Sequence, residues 1–255
     1  PFSQRGLYGM IFVTIGICYL LFSIPAFLWL PADVRAALSV RQAAIGGVET
    51  MVATLREILR LPELRRFLLA YLIFEDGVVT VISFSSIFAF TTLGFAMAQL
   101  IWLFLIVQVS ALVGALLWAK PTDRLGPRFV VLAMLGQWSL VVAAAYFIQT
   151  QTQFFVLATL AGTGLGAIQA ASRAYMCTLI PHGREAEFFG FYTLCGRSAA
   201  ILGPLVFGAL SVASGGNQRL SILSVLAFYL IGGILLAGSK AGGPTHHPAH
   251  APMIS

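Results

Sequence analysis

The stretch QAASRAYMCTLIPHGREAEFFGFYTLCGRSAAILGP, Gln169 to Pro204, sets a short charged turn between two long apolar runs, each with an arginine well inside it. Eight residues separate Arg173 from Pro181, and ten separate Glu187 from Arg197. At helical rise both guanidiniums then lie roughly 12–15 Å from the membrane face nearest the turn, close to mid-bilayer. A charge at that depth costs at least about 2.5–3.5 kcal/mol, so it belongs inside a helix bundle and normally has a task there.

Working outward, the whole chain has this character. Of 255 residues 59% are hydrophobic and 9% charged, with a mean hydropathy of +0.92, which is too apolar for a soluble domain and reads as a polytopic, all-α membrane protein. The formal charge of +6 is spread over the ends of apolar runs and not gathered in a patch, so it speaks for membrane topology and against a nucleic-acid partner. Cys18, Cys177 and Cys195 are odd in number, without C-x-x-C spacing, and read as small core residues.

Seven spans of the length a bilayer requires are expected, at about 7–30, 67–92, 98–119, 129–148, 154–180, 188–212 and 220–238. Lys and Arg crowd into alternate connections: Arg35, Arg41, Arg56, Arg60, Arg65 and Arg66 after the first span, Lys120, Arg124 and Arg128 after the third, Arg184 after the fifth, Lys240 after the last. The other set holds only Arg5 and Arg219, so the first set and the C-terminal tail are assigned to the cytoplasm. Between the first two spans, Ile45, Val48, Val52, Leu55 and Leu59 recur at spacings of 3 and 4, which predicts an amphipathic helix along the membrane surface or under the bundle, ended by Pro62. The tail from Lys240 is rich in Gly, Pro and Ala and is expected to be disordered; His246, His247 and His250 in it are not expected to hold a metal.

The connection after the third span, Lys120-Pro121-Thr122-Asp123-Arg124-Leu125-Gly126-Pro127-Arg128, is a tight turn in which Gly126 permits an unusual backbone angle and Asp123 can cap or pair at a helix end. It resembles the D-R-x-G signature that major facilitator superfamily transporters carry between the second and third, and again the eighth and ninth, helices. Ala119 and Pro121 depart from the Gly and Leu usual there. The run Ile180 to Tyr192, with Gln169 to Arg173 before it and Gly203-Pro204 after it, is similar to the Atg22-like, vacuole effluxer branch of that superfamily, as is Phe74-Glu75-Asp76-Gly77-Val78, although Asn is more usual at position 75.

This resemblance implies a secondary transporter whose fungal relatives export amino acids from the vacuole. It implies a domain plan of a last helix of an N-terminal half (1–31), a cytoplasmic linker (32–66), a C-terminal six-helix transport domain (67–239) and a tail (240–255), so that the N-terminal half is expected as a missing partner. A lone half supplies one wall of a cavity, and this chain by itself is not expected to transport. It further implies that Asp123, Arg124, Gly126 and Arg128 stabilise one state of the cycle without touching solute. A bacterial plasma membrane is the expected location rather than a vacuolar one.

The residues themselves nominate a site. Asp76, Thr80 and Ser83 form a polar stripe on the second span, and Asp76 lies ten residues from Arg66, again roughly 15 Å deep. Gly162, Gly166, Gln169 and Arg173 share one face of the fifth span, and Thr193, Arg197, Ala200 and Pro204 one face of the sixth. Arg173 or Arg197 would hold the carboxylate of a small solute, and Glu75 or Asp76 would take a proton; the other role open to Asp76 is to pair with an arginine and lock the bundle. Arg184, Glu185 and Glu187 stand between a cytoplasmic gate and a solvated turn. Gly203-Pro204 offers a hinge, Gln108 and Gln137 lie mid-span where they can line the same cavity or bridge helices, and Tyr71, Tyr146, Trp102, Trp118 and Trp138 read as interfacial anchors. No nucleophile, metal or phosphate-loop motif is present, so no enzyme and no cofactor are expected, and the competing reading is a non-transporting membrane scaffold or sensor.

Overall fold

The structure is a computed structural model and describes residues 2–29, 40–181 and 183–238. Arg35, His182, Lys240 and the tail histidines lie outside these residues. The described residues form helices only: α1 (Phe2–Trp29), α2 (Val40–Arg60), α3 (Pro62–Thr91), α4 (Met97–Leu125), α5 (Pro127–Ala145), α6 (Gln151–Leu179), α7 (Glu185–Ser198), α8 (Leu202–Ala213) and α9 (Gln218–Ala237). Seven segments are long and apolar enough to cross a membrane, with α7 and α8 together making one of them. The chain forms two units, one running to Val48 and the other starting at Glu49.

In the first unit, α1 is a single apolar helix on which Phe12, Tyr19, Leu20, Phe22, Phe27 and Trp29 are exposed. Its hydroxyls find partners within the helix, Thr14 donating to the Met10 carbonyl and Ser23 to that of Tyr19, as side chains without water must.

The second unit is a bundle in which α4 packs on α6, α3 on α9 and α5 on both α6 and α9. Hydrogen bonds between helix ends sort the helices into alternating directions. At one end Arg66 of α3 and Arg128 of α5 donate to the last carbonyls of α9, at Gly238, Leu236 and Ala237, satisfying groups that a helix C-terminus leaves free. At the other end Gln151 of α6 donates to the Leu93 and Gly94 carbonyls after α3, and Arg219 of α9 donates to the Tyr146 carbonyl that ends α5. Pro62 and Pro127 open α3 and α5, positions where the missing N–H is not needed. Gly126 makes the turn between α4 and α5 at φ +87.

Glycine sets the closest contact. A Cβ on Gly114 would collide with the Thr163 backbone, and one on Gly162 or Gly166 with Ser110 or the Ala111 carbonyl, so α4 and α6 approach as only small residues allow. The outer faces stay apolar: Ile101, Trp102, Leu105, Val109, Leu112 and Leu116 of α4 are all exposed. The interior is largely apolar too, but the buried polar side chains Glu75, Asp76, Thr80, Ser110, Ser172 and Ser221 are gathered within it, an arrangement suited to a lipid exterior. Tyr71 and Trp138 are part of that interior, which corrects their reading as interfacial anchors; Trp102 remains exposed.

Candidate functional site

Glu75 and Asp76 are neighbours on α3, about 100° apart around the helix, and they face different helices. Glu75, 9% exposed, accepts a hydrogen bond at Oε1 from Gln169 Nε2 of α6 at 2.7 Å, while its Oε2 has no protein partner. Arg173 follows Gln169 by one turn, and its positive charge acts on Glu75. One turn before Glu75, Tyr71 stacks on Tyr192 of α7 with ring centroids 4.2 Å apart and planes at 22°. Gly196 permits this contact, because a Cβ there would press to 2.9 Å on the Tyr71 hydroxyl. From α9, buried Tyr229 lies against Gly77 with its hydroxyl unpartnered. Four helices thus bring a carboxylate, a carboxamide and three phenols together inside the bundle, with the exposed guanidinium of Arg173 one turn beyond Gln169.

Asp76, 3% exposed, turns to α8. Its Oδ2 accepts the Gly203 N–H at 2.8 Å, and Thr80 donates its hydroxyl to the Asp76 carbonyl at 2.7 Å. The membrane-crossing segment is broken here, between Ser198 and Leu202, and the first amides of α8 need acceptors that lipid cannot provide. Asp76 supplies one from a neighbouring helix, an N-cap in trans favoured also by the helix dipole. The break in the span lies at 199–201, a few residues before the Gly203-Pro204 expected as a hinge, and Pro204 sits in the first turn of α8, where its missing N–H costs nothing.

The remaining candidates do not join either group. Arg197 is exposed in the last turn of α7, where a cation complements the helix dipole, and has no hydrogen bond or ion pair among the described residues. Asp76 is thus held by backbone amide and not by Arg173 or Arg197, and the three charges expected to meet do not. Gln108 is exposed on α4; Gln137 bridges α5 to α6, donating to the Leu160 carbonyl at 2.7 Å and to Thr163 Oγ1 at 3.1 Å. Ser83 is exposed. A separate cavity of about 80 Å³ is walled by apolar side chains such as Val81, Leu103, Trp138, Leu157 and Ile222 with only Ser85 and Ser86 for polarity, so it lacks the converging polar groups of a solute site.

At the end where α9 is capped, the turn before α7 is tied into a network. Arg184 pairs with Glu187 (2.6 Å) and with Glu57 of α2, while Gly183 N–H donates to Glu185 Oε1 at 3.0 Å. Hydrogen bonds from Arg184 to Glu187, then to Glu57, raise the pKa of its guanidinium above the usual arginine range. Asp123 and Arg124 are exposed on the last turn of α4 and neither pairs among the described residues, so the expected capping by Asp123 is not present; Arg128 is the member of that turn that caps a helix, α9. Among the described residues no three His, Cys, Asp or Glu side chains converge as a metal would require.

Tyr192 and Tyr229 were not legible as site residues. For Tyr71 the signal was its i, i+4 spacing to Glu75, and for Tyr192 the same spacing to Phe188, which is also buried.

Residues 5–241 match the family model described as "Vacuole effluxer Atg22 like". The chain is 32% identical over 193 residues to the uncharacterized MFS-type transporter YxiO of Bacillus subtilis (strain 168), covering 76% of this chain and 45% of that protein. It is 26% identical over 229 residues to autophagy-related protein 22 of Coccidioides immitis (strain RS), covering 79% and 38%. To autophagy-related protein 22 of Cryptococcus neoformans var. neoformans serotype D (strain JEC21 / ATCC MYA-565) it is 28% identical over 255 residues, covering 90% and 43%. The chain spans less than half the length of each of these relatives.

Proposed function

Because the chain belongs to the vacuole effluxer Atg22-like family, we propose that it serves a secondary transporter that moves a small solute by alternating access, as part of the membrane-embedded C-terminal half. The observation that carries this reading is Glu75: a buried carboxylate with one oxygen bonded to Gln169 and the other unpartnered, beside Arg173 and the Tyr71–Tyr192 stack. Asp76 also leaves one oxygen, Oδ1, unpartnered, so what sets Glu75 apart is its company: a side-chain carboxamide, an arginine charge and paired phenols rather than a backbone amide.

Amino acids fit this wall. Arg173, exposed on α6, offers two parallel donors to a carboxylate, Glu75 offers an acceptor to an ammonium or a place for a proton, and the buried phenols offer hydrogen bonds beside it. An opposing wall from a further set of helices completes such a site near the midplane. Asp76 carries a packing role in this reading, and a bacterial plasma membrane is its setting.

The test is uptake and efflux of radiolabelled amino acids by the full-length protein in vesicles, with Glu75→Gln and Arg173→Gln. Loss of flux in both, with the protein still inserted and monodisperse, supports the reading. Unchanged flux in both removes the site, and absence of flux in the wild type across the amino acids favours the scaffold or sensor.

A further inference from the structure

The α6–α7 turn is held by more than its own residues. Thr54 of α2 is 0% exposed and its hydroxyl is used twice, donating to Glu187 Oε2 at 2.8 Å and accepting from Arg184 Nη2 at 3.1 Å. Glu57, nearly one turn on, takes the other arm of the same guanidinium. Ile58 is buried in the main core beside them, and the Arg184 guanidinium lies 5.2 Å above the ring of fully buried Phe188. Thr54, Glu57, Arg184 and Glu187 close a ring between two elements that are far apart in the chain.

The way α2 docks makes this ring informative. A helix that only coated a surface would bury its apolar stripe, yet Met51, Val52, Leu55 and Leu59 stay exposed, and a threonine is turned inward beside Ile58. Burying that hydroxyl is favourable only where it is satisfied, and the groups satisfying it are Arg184 and Glu187. The position of α2 is therefore specified by the turn, and the turn by α2. The charged side chains of the ring remain about a third exposed, Arg184 at 33% and Glu187 at 36%, so water can take over each partner when the ring opens, and the closure is reversible.

We propose that Thr54 and Glu57 are positioning residues of the gate: α2 is a clasp that holds Arg184, and through it the start of α7, and that lets go when α7 moves in the transport cycle. This rests on the transport reading above. Tyr192 lies one turn and a residue beyond Glu187 on α7, so a displaced α7 carries its stack with Tyr71 along, and the clasp thereby bears on the solute wall.

The test uses the half-buried thiol of Cys195, also on α7, in the full-length protein with its other cysteines replaced by serine. The rate of labelling by a membrane-impermeant maleimide is measured in vesicles from the side carrying the turn. Glu57→Gln and Thr54→Ala each raise the rate roughly 5-fold, more than a core substitution that lowers the melting temperature equally; Thr54→Ser, which keeps the hydroxyl, labels as wild type; and neither substitution adds to Arg184→Gln. Unchanged labelling in Glu57→Gln and Thr54→Ala, effects that add to Arg184→Gln, or labelling that merely tracks a lowered melting temperature would each overturn the clasp. The labelling needs no solute, so a wild type that moves nothing defeats the transport reading while the clasp is still decided.

Discussion

Replacing Gly203 with alanine tests whether Asp76 caps α8. The added Cβ would overlap Thr80 Oγ1 and press to 3.0 Å on both the carbonyl oxygen and Oδ1 of Asp76. The carbonyl belongs to the α3 backbone and cannot retreat, which leaves two ways to relieve the contact. Thr80 can rotate and surrender its bond to that carbonyl, at about 1 kcal/mol. Alternatively α8 slides outward, stretching the Gly203 N–H to Oδ2 bond and leaving a buried carboxylate short of a donor, at about 2–3 kcal/mol. Alanine regains at most about 1 kcal/mol through backbone entropy. Rotating Thr80 leaves both 3.0 Å contacts on Asp76 in place, so the slide of α8 sets the cost, and the net loss is about 1–2 kcal/mol, within the range of overpacked interiors. Thermal unfolding in detergent measures it, and the double variant Gly203→Ala with Thr80→Ala sharpens it, because removing the hydroxyl and methyl of Thr80 reopens the space. The two substitutions are then coupled, the pair costing about 1 kcal/mol less than the sum of the singles. A Gly203→Ala chain as stable as the parent, or effects that simply add, would refute the close approach of α8 to Asp76.

Glu75→Gln keeps the shape of the side chain and the bond from Gln169 but removes the charge, so it is expected to abolish solute flux while leaving thermal stability unchanged or higher, measured by vesicle uptake and by unfolding in detergent. Gly166→Val places side-chain atoms against the Ala111 carbonyl and is expected to cost about 3 kcal/mol, read as loss of monodisperse protein on size exclusion; Gly136→Val, where a Cβ meets nothing within 4 Å, is the tolerated control. Arg128→Ala removes two bonds to the last carbonyls of α9 and is expected to cost about 1 kcal/mol, with faster amide exchange confined to the end of α9; unchanged exchange there would show that Arg66 suffices alone.

The bundle was legible because a membrane leaves few choices: apolar runs of about 20 residues become spans, and α3, α4, α5, α6 and α9 lie where hydropathy placed them. The broken span was only half legible. Gly203-Pro204 announces an irregularity, but where the helix stops depends on which acceptor takes the freed amides, and that acceptor, Asp76, is 127 residues away in sequence. Depth counting placed Asp76, Arg173 and Arg197 at one level without fixing their azimuth, and azimuth decides partners: a step of one residue from Glu75 to Asp76 exchanges α6 for α8. The linker stripe left two placements open, against lipid or under the bundle. Val52, Leu55 and Leu59 of that stripe are exposed, while Thr54 and Ile58 face the bundle, and the hydrogen bonds of Thr54 to a turn 130 or more residues away are not written in a periodicity.

The adjacency of Glu75 and Asp76 has a mechanical meaning. On one rigid helix, the residue bonded to Gln169 and the residue that caps α8 are separated by a single rise of about 1.5 Å, so α3 cannot rotate to release one without turning the other. A solute that draws Glu75 away from Gln169 would load the bond between Asp76 and Gly203, and the break in the α7–α8 span is where that load can be relieved without unfolding a turn. The clasp at Arg184 holds the far end of α7, so α7 is bounded by a network at its first residue and a gap after its last. A helix restrained at one end and free at the other pivots, and in a packed membrane bundle a pivot is the small motion that exchanges one pair of neighbours for another.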